Sequence, residues 1–232
     1  MRSDCLILAS GSPRRRELIQ LLGLPVQAVT APIEEEVHPA ESPAEMVARL
    51  ARAKARAVAA THPRVPVLGC DTAVALEGRV LGKPADPQEA RTMLARLRGR
   101  THSVYTGVVL VRGGEVVAQV AETAVAIRRY SDAEVAAYVA SGDPLDKAGA
   151  YAIQHAGFDP VARWRGCYAN VVGLPLCHVT RALRVWGLAP PADVPAACQA
   201  HTGQRCHVFP EILESHHSEW GDAGLPPLWG LS

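Results

Sequence analysis

A chain of 232 residues can form one large domain or two small lobes, and it is long enough to bury a sizeable core. Hydrophobic residues make up 48% and charged residues 20% of the sequence, as is typical of soluble globular proteins. The net charge of +1 excludes a general electrostatic affinity for nucleic acid or for an anionic membrane, so a bound anion needs a local cluster of cations.

The first apolar stretch, residues 5–9, predicts a short buried strand. It is too short for a secretory signal, and no apolar run in the chain approaches the ~18 residues of a membrane span. The six cysteines are scattered without a Cys-x-x-Cys pair, which is typical of free thiols in a reducing compartment. We therefore expect a cytoplasmic protein that contacts no membrane.

Strands and helices alternate along the chain as far as residue 186. In the first part the patterns predict a helix over 13–22, a strand over 26–30, a helix over 42–60, a strand over 65–70 and a hairpin over 73–81. In the second part they predict a helix over 87–97, a hairpin of strands over 102–111 and 116–127, a helix over 131–142, strand-like segments over 151–154 and 161–164, and a helix over 176–186. This order favours an α/β fold with a mixed twisted sheet and helices on its faces.

The character of the chain changes after residue 188. Pro190, Pro191 and Pro195 suggest a linker, and the residues that follow show no clear periodicity. We expect one domain over 1–188 and a C-terminal extension of unknown role over 189–232.

The extension contains residue types that bind zinc. Their spacing matches no standard zinc module, which favours ordinary side chains over a structural metal site. The residues concerned are Cys198, His201, Cys206, His207, His216 and His217. Trp220 and Trp229 are expected to dock the extension on the body of the protein.

The segment after the first strand has the features of an anion site. Residues 10–12 are small, and they lead into a helix with Ser12 as its N-cap and Pro13 at its first position. Three arginines at 14–16 then place cations in the first turn, where they oppose the helix dipole unless an anion binds. On local grounds, a bound polyphosphate and a solvated basic turn explain this segment equally well.

Acidic residues provide a second candidate site. Asp71 directly follows the strand over 65–70, and open α/β sheets bind ligands at the carboxyl ends of their strands. Together with a glutamate of the run 34–36, it would hold Mg²⁺ or Mn²⁺, or accept a proton from an attacking water. The structural alternatives are an exposed loop for the glutamates and a turn residue for Asp71.

Lysine is rare in this chain, which has 21 arginines and three lysines. Lys54 falls on an alanine-rich helix, Lys83 in a Gly-Lys-Pro turn and Lys147 in an Asp-Lys-Ala-Gly segment. A compact ammonium on a rigid turn suits the neutralisation of phosphate charge. Gln154 and Asn170 end segments of strand-like character and would read a base or ribose, although isolated polar residues are more often structural. There is no Walker sequence, which argues against a P-loop NTPase.

Eight segments in order resemble the Maf-type nucleoside triphosphate pyrophosphatase family over about residues 5–187. Each segment alone is weak, but the eight in this order are highly specific. They are Leu8-Ala9-Ser10-Gly11-Ser12-Pro13-Arg14-Arg15, Ile33-Glu34-Glu35, 49–54, Asp71-Thr72, Gly82-Lys83-Pro84, 102–107, 146–154 and Asn170-Val171-Val172-Gly173-Leu174-Pro175. The resemblance implies a two-lobed fold similar to inosine triphosphatases, with the nucleotide in the cleft and a metal-dependent cut between its α and β phosphates.

The resemblance also implies roles for individual residues. Asp71 would be the base or a metal-linked carboxylate and Glu35 its acidic partner, with Mg²⁺ or Mn²⁺ held by both. The residues implied to hold the phosphates or line their loop are Arg15, Lys54, Lys83, Ser10 and Ser12. Three further residues resemble those found at the same places in the subgroup acting on dTTP and UTP, namely Arg14, Thr72 and Gln154. The subgroup that prefers 7-methyl-GTP has different residues at these places. The expected partner is a nucleoside triphosphate, bound by a homodimer.

Two features depart from the family pattern. His155 follows Gln154 where glycine is usual, and the chain continues past Trp186, the usual family end. The leading hypothesis is hydrolysis of dTTP and UTP, or of modified pyrimidine nucleotides, to the monophosphate and pyrophosphate. The alternatives are a nucleotide-binding regulator of cell division and septum formation, and a pyrophosphatase for other modified nucleotides. A binding protein would not need both Glu35 and Asp71, so catalysis is favoured.

Overall fold

A computed structural model describes residues 5–36, 38 and 41–214. The strands of this part are β1 (Leu6–Ala9), β2 (Val26–Val29), β3 (Val67–Leu76), β4 (Arg79–Leu81), β5 (Thr101–Arg112), β6 (Glu115–Ile127) and β7 (Val161–Arg165). The α-helices are α1 (Pro13–Ile19), α2 (Pro43–Ala59), α3 (Pro87–Leu97), α4 (Asp132–Ala140), α5 (Tyr168–Val172), α6 (Leu176–Val185), α7 (Val194–Thr202) and α8 (Phe209–Glu214). Short 3-10 turns occur at Gln20–Leu22, Asp143–Asp146 and Ala148–Ala150. None of these helices is long and apolar enough to cross a membrane.

All seven strands of the described part form one sheet in the order β2-β1-β3-β5-β6-β7, with β4 paired to β3. β1 runs parallel to β2 and β3, whereas the pairs β3–β4, β3–β5, β5–β6 and β6–β7 are antiparallel. Gly113 and Gly114 turn the chain between β5 and β6 with φ values of 56° and 93°, which glycine adopts without strain. The prediction of a mixed sheet flanked by helices is confirmed.

Of the four hydrophobic clusters in the described structure, two form separate cores at the beginning and at the end of the long strand β3. The first core packs the beginning of β3, including Leu68, against α1 and α6 through Leu18 and Leu183. The second core packs the end of β3, including Val74, against α3 and α4 through Leu94 and Tyr138. The sheet is therefore continuous, but the packing above it changes near the middle of β3, and this divides the molecule into two lobes.

Helix α2 approaches the sheet closely at two glycines. A Cβ atom placed on Gly69 would lie 2.1 Å from the carbonyl oxygen of Ala51, and one on Gly107 would lie 2.3 Å from that of Val47. Gly107 is the partner of Asp71 across the β3–β5 ladder. The absence of these two side chains therefore lets α2 settle against the part of β3 that carries Asp71.

We expect Gly69→Ala to lower the free energy of unfolding by about 2–3 kcal/mol, because the added carbon meets helix backbone that cannot move aside independently. Gly82→Ala is the matched control, since its added carbon meets nothing within 4 Å. Its unfolding free energy should change by at most about 0.5–1 kcal/mol. Urea denaturation followed by circular dichroism measures both values, and equal stability of the two variants would contradict the close approach of α2.

Three sequence predictions are wrong in detail. β3 continues without a break to Leu76, so Asp71 lies inside a strand and not at its carboxyl end. Only the parallel ladder with β1 ends nearby, at Gly69. Residues 151–154 form an irregular segment and a turn. Three of these residues are apolar and are buried in the second core or beside it, and for this reason the sequence resembles that of a buried strand. Asn170 lies in α5 and not at a strand end.

The beginning of the C-terminal extension is folded, as α7 and α8 pack against α6. Arg181 of α6 donates hydrogen bonds of 3.0 and 2.5 Å to the side-chain oxygen of Gln119 and one of 3.2 Å to the carbonyl of Ile212. These helices are only nine and six residues long, too short for a clear periodicity in the sequence. Trp220 and Trp229, which we expected to dock the extension, lie outside the described residues.

Candidate active site

A cleft of about 630 Å³, a volume suited to a small organic ligand, opens beside the middle of β3. On this edge of β3, the partner β1 ends opposite Gly69, and the partner β4 pairs only with residues 74–76, with its last residue Leu81 opposite Val74. Within the described structure, no strand covers residues 70–73 on that edge. Asp71 and Thr72, whose side chains alternate between the two faces of the strand, both line the cleft for this reason.

The structure brings all ten predicted site residues to this one cleft. They are Ser10, Ser12, Arg14, Arg15, Glu35, Lys54, Asp71, Thr72, Lys83 and Gln154. Five cationic and three acidic side chains line it, which gives a local positive excess that the nearly neutral chain as a whole lacks. α1 has only seven residues, so these side chains, more than the helix dipole, make the cleft suitable for an anion.

Lys54 joins the two predicted carboxylates on the floor of the cleft. Its ammonium nitrogen lies 2.6 Å from Oδ1 of Asp71 and 2.6 Å from Oε1 of Glu35. Lys54 and Asp71 are buried, whereas the side chain of Glu35 is 57% exposed. One cation therefore holds a buried and an exposed carboxylate close together, and both of them face the cleft.

The two carboxylates differ in their affinity for protons. Burial raises the pKa of Asp71 above its ordinary value, and the charges of Lys54 and Arg15 oppose this only in part. Burial also raises the pKa of Glu35, but the hydrogen bond and charge of Lys54, with the charges of Lys83 and Arg15, outweigh it and leave the pKa lowered. Glu35 is the stable anion of the pair, and Asp71 is the better proton acceptor.

Arg15 lines the cleft and makes three side-chain hydrogen bonds there. Its guanidinium donates to Thr72 Oγ1 at 2.8 Å, to the Gly173 carbonyl at 2.9 Å and to Ser10 Oγ at 3.4 Å. Ser12 caps α1, because its hydroxyl accepts the backbone N–H of Arg15 at 3.4 Å. Thr72, which the resemblance grouped with base selection, is therefore bonded to the arginine expected to hold phosphate.

The remaining predicted residues lie around the rim. Lys83 is exposed on the loop after β4, and a 3.0 Å hydrogen bond from the Gly149 amide to the Gly82 carbonyl anchors that loop. Arg14 donates to Asp146 at 3.4 Å. Gln154 lines the cleft with an exposed side chain. Cations that suit phosphate and polar groups that suit a base therefore share the same opening.

The structure also places here three residues that are not among the ten predicted site residues, Gly173, Asp146 and Lys147. Gly173 accepts from Arg15, and Asp146 connects Arg14 to Lys147, whose ammonium lies 2.7 Å from Asp146. The Asp-Lys-Ala-Gly segment and the glycine after α5 were both visible in the sequence. Both belong to segments that resemble the family, but their contacts with Arg14 and Arg15 depend on the fold, which places them opposite the first helix.

Asn170 has a structural role, as isolated polar residues more often do. It is fully buried, and its amide donates to the Val104 carbonyl at 3.0 Å and to the Thr123 hydroxyl at 2.9 Å. These bonds tie α5 to β5 and β6 and keep Asn170 away from a ligand. The suggestion that it reads a base is not supported by its position.

The cysteines and histidines of the extension form no metal site in the part of the chain that the structure describes. No group of three or more potential ligands is arranged to hold an ion there, while His216 and His217 lie outside those residues. Cys198 and Cys206 line a second cavity of about 300 Å³ between α6 and the extension. All six cysteines are free thiols, as predicted.

Relatives of the chain carry a consistent description. A "dTTP/UTP pyrophosphatase" of Moorella thermoacetica is 54% identical over 186 residues, covering 79% of this chain and 95% of that protein. One from Symbiobacterium thermophilum is 49% identical over 182 residues, covering 78% and 94%. One from Thermomicrobium roseum is 46% identical over 215 residues, covering 90% and 96%. Similarity to the Thermomicrobium protein thus reaches into the C-terminal extension.

A solved structure and the sequence model of a family also match parts of the chain. A solved structure of the Staphylococcus aureus Ham1 protein gives a TM-score of 0.38 at 14% identity, over 53% of this chain and 71% of that one, which is too distant to support an argument. The sequence model of the family described as "Maf-like protein" matches residues 5–186, which include every residue of the cleft. From this match and from relatives about half identical over most of its length, the chain is a member of the Maf family.

Proposed function

We propose that this chain hydrolyses dTTP and UTP to the monophosphate and pyrophosphate. The observation that carries the proposal is the bridge of Lys54 between Glu35 and Asp71 on the floor of a cationic cleft. The names of the relatives supply the substrates, and the cleft provides a grip for phosphate together with paired carboxylates. The same comparisons favour this activity over the regulatory alternative.

The donor set suits a divalent metal ion. Glu35 and Asp71 offer carboxylate oxygens, which Mg²⁺ and Mn²⁺ prefer, and only these two carboxylates meet at Lys54 in the described structure. Mg²⁺ is commonly held by one or two carboxylates together with waters and substrate phosphates, so a third acidic ligand is not needed. When bound, the ion would neutralise phosphate charge that develops during cleavage.

The side chains divide the chemistry between them. Asp71 accepts a proton from the water that attacks the α-phosphorus, because it is buried and its pKa is raised. The new bond joins the water oxygen to this phosphorus, the bond to the β-phosphate oxygen breaks, and pyrophosphate leaves. Arg15 and Lys83 stabilise the negative charge that builds on the phosphate oxygens. Lys54 keeps both carboxylates in place beside the reacting atoms.

Gln154 and Arg14, which also line the cleft, contact the base. An amide side chain has both a donor and an acceptor, which matches the adjacent carbonyl and N–H of uracil and thymine. We assign Thr72 to the support of Arg15 in addition to base selection, because the two side chains are hydrogen-bonded at 2.8 Å.

The direct test is pyrophosphate release from a panel of canonical and modified nucleoside triphosphates, with Mg²⁺, with Mn²⁺ and with a chelator. We expect turnover of dTTP and UTP above that of purine nucleotides, and its loss when the metal is removed. Preference for a modified nucleotide would replace the substrate but keep the reaction. Tight nucleotide binding with no turnover under any condition would support the regulatory alternative and reject the enzyme.

A further inference from the structure

We infer that His155 is a positioning residue that fixes the Gln154 turn, and with it the preference of the cleft for one class of base. This inference rests on the proposed function, in which Gln154 contacts the base. The geometry behind it is the ring of His155, which bonds to the backbone of its own turn and packs against Tyr138.

His155 makes three hydrogen bonds within the turn that carries Gln154. The His155 amide donates to the Ala152 carbonyl at 3.2 Å, and its carbonyl accepts from the Asp159 amide at 2.8 Å. Its ring nitrogen Nδ1 accepts the backbone N–H of Phe158 at 2.9 Å. The backbone on both sides of Gln154 is therefore held by one residue, while the Gln154 side chain stays exposed to the cleft.

Tyr138 of α4 supports the turn from behind. Its ring packs edge-on against His155, with centroids 4.7 Å apart, and stacks on Phe158 at 4.3 Å. Its hydroxyl accepts the Ala152 amide at 3.2 Å and donates to Asp143 at 2.6 Å. The position of Gln154 is thus coupled to the second hydrophobic core, to which both Tyr138 and Phe158 belong.

The same network of contacts continues from Asp143 to Arg14. Asp143 accepts from Lys147 at 2.9 Å, Lys147 also lies 2.7 Å from Asp146, and Asp146 accepts from Arg14. Arg14 and Gln154, the two groups proposed to contact the base, are therefore connected through one set of side chains. A prepositioned pair loses little conformational freedom when a base binds, which favours the base that fits this spacing.

Three substitutions of His155 separate the hydrogen bond to Nδ1 from the packing of the ring against Tyr138. His155→Asn keeps an acceptor close to the place of Nδ1 but removes the ring. His155→Phe keeps a ring against Tyr138 but removes the acceptor, and His155→Ala removes both. Steady-state kinetics with dTTP, UTP, CTP and ATP, together with the melting temperature of each variant, report on substrate selection and on stability separately.

We expect His155→Phe and His155→Ala to raise KM for dTTP and UTP about tenfold with kcat changed less than about twofold, because a contact to the base contributes equally to substrate and transition-state binding. Their preference for UTP over CTP should fall by a similar factor, and His155→Asn should recover most of it. Hydrogen exchange over residues 150–160 should quicken in His155→Phe and not in His155→Asn.

Unchanged selectivity in His155→Phe and His155→Ala, at whatever melting temperature, would overturn the inference, and so would a His155→Asn variant no better than His155→Ala. Hydrogen exchange tests the closure of the turn without any turnover. A wild-type protein that cleaves no nucleotide but shows the expected exchange pattern would reject the proposed function and leave the role of His155 in the turn supported. An active wild type with unchanged exchange in His155→Phe would reject the inference alone.

Discussion

Asp71→Asn is expected to lower kcat for UTP by roughly 10²- to 10⁴-fold, the usual contribution of a general base. The amide has the shape of the carboxylate and still accepts from Lys54, but it cannot take a proton from water. Affinity for the nucleotide should stay within a few fold, since Arg15, Lys83 and the base contacts remain. Pyrophosphate release and equilibrium binding of UTP measure the two effects separately.

Asp132→Asn is a suitable control, because it removes one carboxylate from an exposed position in the first turn of α4. It should leave kcat unchanged. In the wild type, kcat should rise as pH increases through the raised pKa of Asp71, because only the deprotonated carboxylate can act as a base. Normal turnover by Asp71→Asn would show that another group accepts the proton.

Lys54→Met is expected to reduce kcat by about 10²-fold or more, a loss typical of a single charged donor in an active site. Without the ammonium, the carboxylates of Asp71 and Glu35 lose the positive charge that joins them in the wild type. Mutual repulsion then raises the pKa of Asp71 further, so the acid limb of the pH–rate profile should move to higher pH. Measurement of kcat against pH for both proteins tests this shift.

The same substitution leaves a buried carboxylate without its ion-pair partner, which commonly costs about 3–5 kcal/mol of stability. The double variant Lys54→Met with Asp71→Asn should recover part of the lost melting temperature, because the buried charge is then gone. Arg56→Met, at an exposed position of the same helix, controls for the removal of a cation from α2. Equal losses of stability in the Lys54→Met and Arg56→Met proteins would argue against a coupled pair at Asp71.

Much of the fold could be predicted because its signals are local. Capping boxes begin α2 at Ser42 and α4 at Ser131, and the paired glycines after β5 mark the hairpin. The residues of the cleft were found through the order of eight short segments. No single segment was sufficient, since each has an ordinary structural explanation.

The parts that could not be predicted depend on contacts between distant segments. Whether Asp71 ends a strand or lies within it is decided by β4 and β5, which pair with the continuation of β3. The approach of α2 to Gly69 and Gly107 is a packing effect with no local pattern. In the same way, His155 was visible in the sequence only as a departure from the family pattern. Its proposed role depends on Tyr138, which lies in helix α4.

The continuity of the sheet beneath both cores has a consequence for which phosphate bond is cut. Asp71 is fixed in β3, and the turn that carries Gln154 is tied to the second core, which packs on the same strand. The distance from the base to the reacting phosphorus is therefore set by the protein and not by the length of the phosphate chain. For the proposed enzyme, the cut is counted from the nucleoside end, so a nucleoside tetraphosphate would also yield the monophosphate.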